Sequence, residues 1–355
     1  MKISNGDIGT LETELLRSLP RLLPSLRVTR TSRGRGTGSS PAGLLVDVTT
    51  PMGKRRRLVV GVRVAEPPSR VRDTLRRLKG AVTRQPSGYP VLASSFFSPR
   101  VREICREEGV GYLDLAGNCF LRLDHFYLEK IVEKNPFPIP GRPPSLFSPV
   151  SSRILRALLE EPQRPWTVTE LSQATGTSLG QTSNVTRRLL DEAYLTKAQR
   201  RLRLAQPAAL LDAWREHSSS AATAYHAYYS FERTPDPLMA RVAAVAQAKS
   251  WRYALTSFAA ASLVAPFVHG VGVVQWYVPD GAAVEEWVQA LDLRPAESGP
   301  NVILRVPYDS GVFYRTQIVQ GLSLVGNIQL YLDLSHESAR AREQAEFLRK
   351  ATLTF

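Results

Sequence analysis

Cysteine is scarce: Cys105 and Cys119 are the two thiols in 355 residues. They cannot make a disulfide framework, and their spacing is not that of metal ligands. His125, His217, His226, His269 and His336 are scattered, and none has a metal-binding partner at helical or strand spacing. Neither a metal nor a cofactor is therefore expected. The phosphate-loop pattern GxxxxGK(S/T) and the nucleophile pattern GxSxG are missing. Gly109-x-Gly111 and Gly270-x-Gly272 are isolated and read as turns. The opening MKISNGDIGTLETELL lacks the apolar core of a signal peptide, which with the shortage of cysteine points to a reducing cytoplasm. From Tyr253 to Val278 there is no Asp, Glu, Lys or Arg, a run long enough to span a bilayer. It nevertheless holds Thr256, Ser257, Ser262, Pro266, His269, Gly270, Gly272 and Gln275. These argue for a buried helix near 257–265, a Pro/Gly break and a strand near 271–278, with no membrane association.

What is present is length for two or three domains, and basic charge unevenly spread. Apolar residues make up 43% and charged residues 22%, as in ordinary globular chains, but the net charge is +14. Residues 1–150 hold 25 Lys and Arg against 13 Asp and Glu; residues 151–215 hold 10 against 6; residues 216–355 hold 11 against 13. A polyanion would meet the first two-thirds of the chain rather than the last third.

Residues 151–205 carry the densest set of local signals. Ile154, Leu155, Leu158 and Leu159 repeat at helical spacing, and Pro162 stops that helix. Thr167 or Thr169 suits a helix cap with Glu170 in the first turn, and Gly176 suits a sharp turn. Ser178 then caps a third helix whose Leu179, Val185 and Leu189 are expected to face inward. Its other face offers Gln181, Ser183, Asn184, Arg187 and Arg188, side chains able to bond base edges or phosphates. A basic hairpin with Lys197, Arg200, Arg201 and Arg203 follows. Helix, helix, turn, helix and basic hairpin is the order of a winged helix-turn-helix that reads double-stranded DNA.

The first 135 residues read as a helix, three strands, a helix, a strand, a helix and further strands, an α/β layer with helices on both sides of a mixed sheet. Residues 136–149 fall in a stiff Pro-rich joint, NPFPIPGRPPSLFSP, and 150–215 hold the winged helix. Residues 216–355 read as a further α/β domain, with strands NVILRV and NIQLYLDL and a final charged helix SARAREQAEFLRKA. Tyr225, Tyr228 and Tyr229 are rings able to stack on bases, but Tyr and Ala at these spacings more often mean helix packing. The whole is an α/β multidomain chain.

Residues 8–95 resemble restriction-endonuclease-like nucleases, whose active members carry a PD-(D/E)xK motif that holds a divalent metal. On that resemblance Asp47 takes the place of the Asp, while Gly61-Val62-Arg63 stands where Glu-x-Lys is expected. A metal ligand is thereby lost, and Arg63 cannot serve as a base. Glu66, three residues on, points to the other strand face. The resemblance implies a scaffold without catalysis, and hence no enzyme. Its basic parts are Lys54, Arg55, Arg56 and Arg57, expected in a hairpin turn; Arg33 and Arg35 in the preceding loop; and Arg70, Arg72, Arg76, Arg77 and Lys79 on one helix.

The phrases VGYLDLAGN, PAALLDAWREH, YALTSFAAASLVAPFV, GPNVILRVPYDSGVFY, NIQLYLDL and AREQAEFLR, in that order, resemble the AbiEi-type antitoxin and transcriptional-regulator family of type IV toxin–antitoxin systems. The resemblance covers about residues 85–350. It implies a DNA-binding repressor encoded beside a nucleotidyltransferase-like toxin, which such antitoxins oppose without a stable complex. Compact members begin with the winged helix; here it is central. The last domain is expected to contact protein or to close a homodimer. Two alternatives remain: a metal-dependent nuclease built on Asp47, and a nucleic-acid binder without sequence preference.

Overall fold

Leucines three or four residues apart make the first helix. Leu11, Leu15, Leu19 and Leu22 line one face of α1 (Ile8–Leu22) and are buried. The computed structural model describes residues 8–33, 43–64, 67–83, 87–132, 136, 146–218, 223–232, 234–270 and 272–355. Residues 1–143 with 191–193 form one unit; residues 144–190 and 194–355 form another. Arg35 and Glu66 lie outside the described residues, as does most of the Pro-rich joint.

In the first unit α1 is followed by β1 (Arg27–Arg33), β2 (Leu44–Thr49), β3 (Arg55–Val62), α2 (Pro68–Val82) and β4 (Gly88–Ser94). Then come α3 (Pro99–Glu107), β5 (Gly111–Asp114), β6 (Cys119–Leu123) and β7 (Phe126–Lys130). The seven strands lie in sequence order, antiparallel except for β3–β4 and β4–β5. Period-two burial explains the layers. Leu44, Val46 and Val48 of β2 join Leu58, Val60 and Val62 of β3 against α1. Val59, Leu92 and Tyr112 face the opposite way, toward Val71, Leu75 and Leu78 of α2 and Val101 and Ile104 of α3. Helices therefore cover both faces of a mixed sheet, as the sequence pattern predicts. Each buried Leu or Val contributes about 1.5–3 kcal/mol. Cys105 and Cys119 are buried in these cores, and burial pushes each thiol up to about 12.

The second unit opens with α4 (Pro149–Glu160), α5 (Val168–Thr175), α6 (Leu179–Asp191) and a hairpin of β8 (Leu195–Ala198) and β9 (Arg201–Leu204). Next come α7 (Pro207–His217), β10 (Ala224–Tyr229), α8 (Pro235–Lys249), β11 (Ala254–Thr256), α9 (Ser257–Val264) and β12 (Val274–Tyr277). The chain continues through α10 (Gly281–Ala290), β13 (Arg294–Pro295), β14 (Val302–Val306), a 3-10 turn (Ser310–Phe313), β15 (Gln317–Val319) and β16 (Leu322–Leu324). It closes with α11 (Asn327–Ser335) and α12 (Ala339–Thr352). A mixed sheet runs β13-β10-β14-β12-β11-β16-β15, with β12–β14 and β11–β16 parallel. One apolar cluster extends from Leu146 to Leu348, so the three-helix part and the larger sheet share a core. Proline opens α2, α3, α4, α7 and α8, where its missing N–H costs nothing.

The charge-free run resolves into β11, the eight-residue α9 and β12; no helix among the described residues is long and apolar enough to cross a membrane. Three local readings are corrected. NIQLYLDL is the helix α11, not a strand: Ile328, Leu330, Tyr331, Leu332 and Leu334 are all buried, so its alternation reports no single face. Tyr225, Tyr228 and Tyr229 lie on strand β10, not a helix. Arg55, Arg56 and Arg57 belong to β3; the turn before it is 50–54.

Candidate nucleic-acid interface

The α5–α6 connection is fixed by short polar side chains. Thr167 starts α5 with a capping box: the Glu170 N–H donates to Thr167 Oγ1 at 3.1 Å, and the Thr167 N–H donates to Glu170 Oε2 at 2.8 Å. That backbone N–H, with Arg201 and Arg164 nearby, holds the Glu170 carboxyl below its usual range. Gly176 ends the helix with φ 61°, a left-handed conformation that suits glycine. Behind the turn runs a chain of buried hydroxyls. Thr175 Oγ1 meets Thr177 Oγ1 at 2.8 Å, Thr177 Oγ1 meets Thr182 Oγ1 at 2.8 Å, and Ser172 Oγ donates to the Thr177 carbonyl at 2.6 Å. Ser178 Oγ accepts from the Gln181 N–H at 3.2 Å and starts α6. The hydroxyls are partnered by one another and by the Thr177 carbonyl, which fixes the direction of α6.

The inward face of α6 is Thr182, Val185, Thr186 and Leu189. Leu179, expected inward, is 54% exposed, because the first-turn residue precedes the buried stripe. Ser178, Ser183, Asn184 and Arg187 are exposed, and Gln181 and Arg188 are half-buried. Arg187 Nη2 donates to Asn184 Oδ1 at 3.1 Å, which couples two predicted contact residues on the open face. The hairpin follows α6 in the chain. Trp166 and Leu202 exchange backbone bonds of 2.9 and 2.7 Å, tying β9 to the segment before α5. Gln199 and Arg200 make the two-residue turn with φ 47° and 66°. Lys197, Arg200, Arg201 and Arg203 are exposed. Arg201 lies 3.5 Å from Glu170, whereas Lys197, Arg200, Arg203 and Arg187 make no ion pair among the described residues. Exposed cations and hydrogen-bonding side chains are thus presented on both α6 and the hairpin.

The basic clusters of the first unit are less open. Arg57 Nε and Nη2 donate to Asp47 at 2.6 and 3.0 Å and hold that carboxyl below its usual range. Arg56 pairs with Asp124, leaving Lys54 and Arg55 as the exposed members of the group. On α2, Arg72 pairs with Glu107 at 2.5 Å, Lys79 with Glu108 at 2.8 Å and Arg76 with Asp73 at 3.0 Å. Arg70 and Arg77 are exposed and make no ion pair among the described residues. Asp47 and Arg63 are not brought together. The β2–β3 register sets Asp47 opposite Arg57, four residues from Gly61, and Arg63 Nη1 donates to the Val62 carbonyl at 2.8 Å. Among the described residues no cluster of three or more His, Cys, Asp or Glu could hold a metal.

Sequence reasoning missed two features of the second unit. The first is the seating of α4. Arg153 makes a bidentate pair with Asp309 at 2.7–3.0 Å, the buried Arg156 donates to Gln329 Oε1, and Glu160 Oε1 accepts from the Ile328 N–H at 3.2 Å. Burial pushes the Glu160 carboxyl up to about 7 against the pull of that N–H, Arg156 and Arg315. The second is a buried polar cluster around Arg305, which is 2% exposed. Its Nε donates to Gln275 Oε1 at 2.9 Å, its Nη1 lies 3.5 Å from Asp333, and its Nη2 meets Glu337. Tyr277 Oη and Gln329 Nε2 donate to Asp333 Oδ1 at 2.9 and 2.8 Å. These residues come from β12, β14, α11 and the α11–α12 turn; single polar residues in apolar runs gave no local sign of their convergence.

Residues 203–354 match the family model described as transcriptional regulator, AbiEi antitoxin, type IV TA system. The likeness read from sequence phrases is therefore borne out in the last part of the chain; residues 151–202 precede the matched segment. No curated protein matches the chain. Among solved structures it is similar to apo EndoMS, with 15% identity and a TM-score of 0.23, covering 32% of this chain and 47% of that one. EndoMS with double-stranded DNA gives 17% and 0.22, covering 32% and 46%. A repair endonuclease from Pyrococcus abyssi gives 12% and 0.23, covering 32% and 48%. The chain spans about half the length of these structures.

Proposed function

We propose that this protein is a DNA-binding transcriptional regulator of antitoxin type that reads duplex DNA with a winged helix at residues 150–215. The observation that carries the reading is the open face of α6, with Asn184 and Arg187 side by side, followed in the chain by a hairpin whose Lys197, Arg200, Arg201 and Arg203 are exposed. An α-helix of this kind fits the major groove, where Gln181, Asn184 and Arg187 would bond base edges. Ser178, Ser183, Arg188, Lys197, Arg200, Arg201 and Arg203 would hold phosphates and set the register. Residues 1–135 are read as a nuclease-derived α/β domain that adds non-specific grip through Lys54, Arg55 and α2, and does no catalysis. Support for that last point is the Asp47–Arg57 pair, which would have to break before Asp47 could bind a cation. Residues 136–149 link the two. Residues 216–355 would contact protein or close a homodimer, with a nucleotidyltransferase-like toxin as the opposed activity in the cell. The protein would work in the cytoplasm.

Selection of genomic fragments by the purified chain, followed by sequencing and footprinting, tests this. One enriched sequence, protected over about one helical turn per reading helix, is expected. Fragments held equally well would leave only a non-specific binder. Magnesium-dependent cutting that disappears in Asp47→Ala would replace the regulator with a nuclease.

A further inference from the structure

The Arg305 cluster forms one wall of a cavity of about 450 Å³ in the second unit, within the range of small-molecule sites. Tyr225, Tyr277, Tyr308 and Trp214 give it aromatic walls, and Gln275, Gln329 and Glu337 line it with hydrogen-bonding groups. Its charged lining is one guanidinium, Arg305, and two carboxylates, Asp333 and Glu337. Arg305 already meets both carboxylates and lies over the Tyr225 and Tyr277 rings at 5.1 and 5.7 Å. A phosphate would have to displace two carboxylates from the one cation in the lining, at a large desolvation cost. A planar, uncharged heterocycle with ring N–H and amino donors meets no such obstacle. It can stack on the half-open Tyr225 and donate to the Glu337 carboxylate, and sugar hydroxyls suit the remaining polar wall.

The same cavity is wired to α4. Gln329 lines it, donates to Asp333 and to Tyr277, and accepts from Arg156 of α4. Trp214 also lines it, and the Arg156 guanidinium stacks on that ring at 5.1 Å. Arg156 is 1% exposed and its Nε has no hydrogen-bond partner among the described residues; apart from a long 3.4 Å bond from Nη1 to the Ser152 carbonyl of its own helix, its position depends on these two contacts. We propose that the cavity binds a nucleoside without phosphate, and that occupancy acts through Gln329, Trp214 and Arg156 on the seating of α4. The regulatory half rests on the DNA-reading proposal; the binding half does not.

Calorimetric titration of the full chain with adenosine, guanosine, cytidine and uridine tests the site directly, with each 5′-monophosphate and glucose as comparators. At least one nucleoside should bind, its monophosphate about tenfold or more weakly. Tyr225→Ala, at the exposed rim, should weaken binding by a similar factor while the melting temperature stays close to that of the parent. Absence of binding by all four nucleosides overturns the site, as does tighter binding of a monophosphate or of glucose. Unchanged affinity in Tyr225→Ala overturns it too. The bound nucleoside should shift affinity for the selected DNA about threefold or more. Arg156→Met, and independently Arg156→Lys, should keep nucleoside binding and lose that shift. A full shift in both variants overturns the relay. If the chain binds no DNA at all, the regulator reading falls alone and the calorimetry still decides the cavity.

Discussion

Arg187 and Glu160 show how differently two charged side chains act in one unit. Arg187 is exposed and, among the described residues, is held only by Asn184, so its removal costs the fold little. Arg187→Ala should weaken binding to the selected DNA by about 1–3 kcal/mol and relax preference at one base pair, as read by competition titration. Glu160 is the opposite case. Its carboxyl titrates near 7 in the folded chain and near 4.5 ordinarily, so the folded state holds the proton more tightly. Its contribution is fully present below about pH 4.5 and is lost as pH rises through about 7. Glu160→Gln keeps an acceptor for the Ile328 N–H and removes the charge. Melting curves should therefore show the variant gaining on the parent from about pH 5 to pH 8; equal slopes would mean that Glu160 ionises without cost. Gly311 reports on the same seam. A Cβ there would sit 2.8 Å from Asp309 Oδ1 and 2.9 Å from Arg153 Cγ and Arg156 Nη1. Gly311→Ala should lower stability by about 1–3 kcal/mol in urea titration.

Among elements, the β8–β9 hairpin separates fold from function most cleanly. Its turn residues Gln199 and Arg200 both adopt positive φ, which Asn-Gly favours. Gln199→Asn with Arg200→Gly should raise the melting temperature and also flatten the salt dependence of DNA binding, by about one unit in log–log slope. A rise without the flattening would take Arg200 off the phosphates. The helices and turns of this region were legible because each has a local cause: Thr167 and Glu170 cap, Gly176 turns, Ser178 restarts. So was the alternation of β2 and β3, since one face of each meets a helix. The helix α11 was not legible. Nearly all of its residues are buried, so no face of the sequence marks a solvent side, and its alternation imitates a strand. The Thr175–Thr177–Thr182 hydroxyl chain was equally silent, because threonines on an exposed turn and in a buried one look alike in sequence.

Across the molecule, net charge was legible and its availability was not. The sequence places an excess of cations in the first two-thirds, but partners arriving through tertiary structure neutralise many of them. Arg57, Arg56, Arg72, Arg76 and Lys79 are each spent on a carboxylate; Arg70 and Arg77 are not. Replacing Arg70 and Arg77 by Ala should therefore reduce non-specific DNA affinity and its salt slope more than replacing Arg72 and Lys79. Equal losses in a filter-binding series would mean that those ion pairs open on contact. The Arg305 cluster was hidden for a related reason: three distant segments supply it, and it exists only once the sheet has closed. Deep placement of both native sulfurs has a practical corollary. Neither Cys105 nor Cys119 should be alkylated by maleimide at neutral pH, so Ser183→Cys would carry a single fluorophore or photo-crosslinker at the middle of α6, with no background from the parent chain.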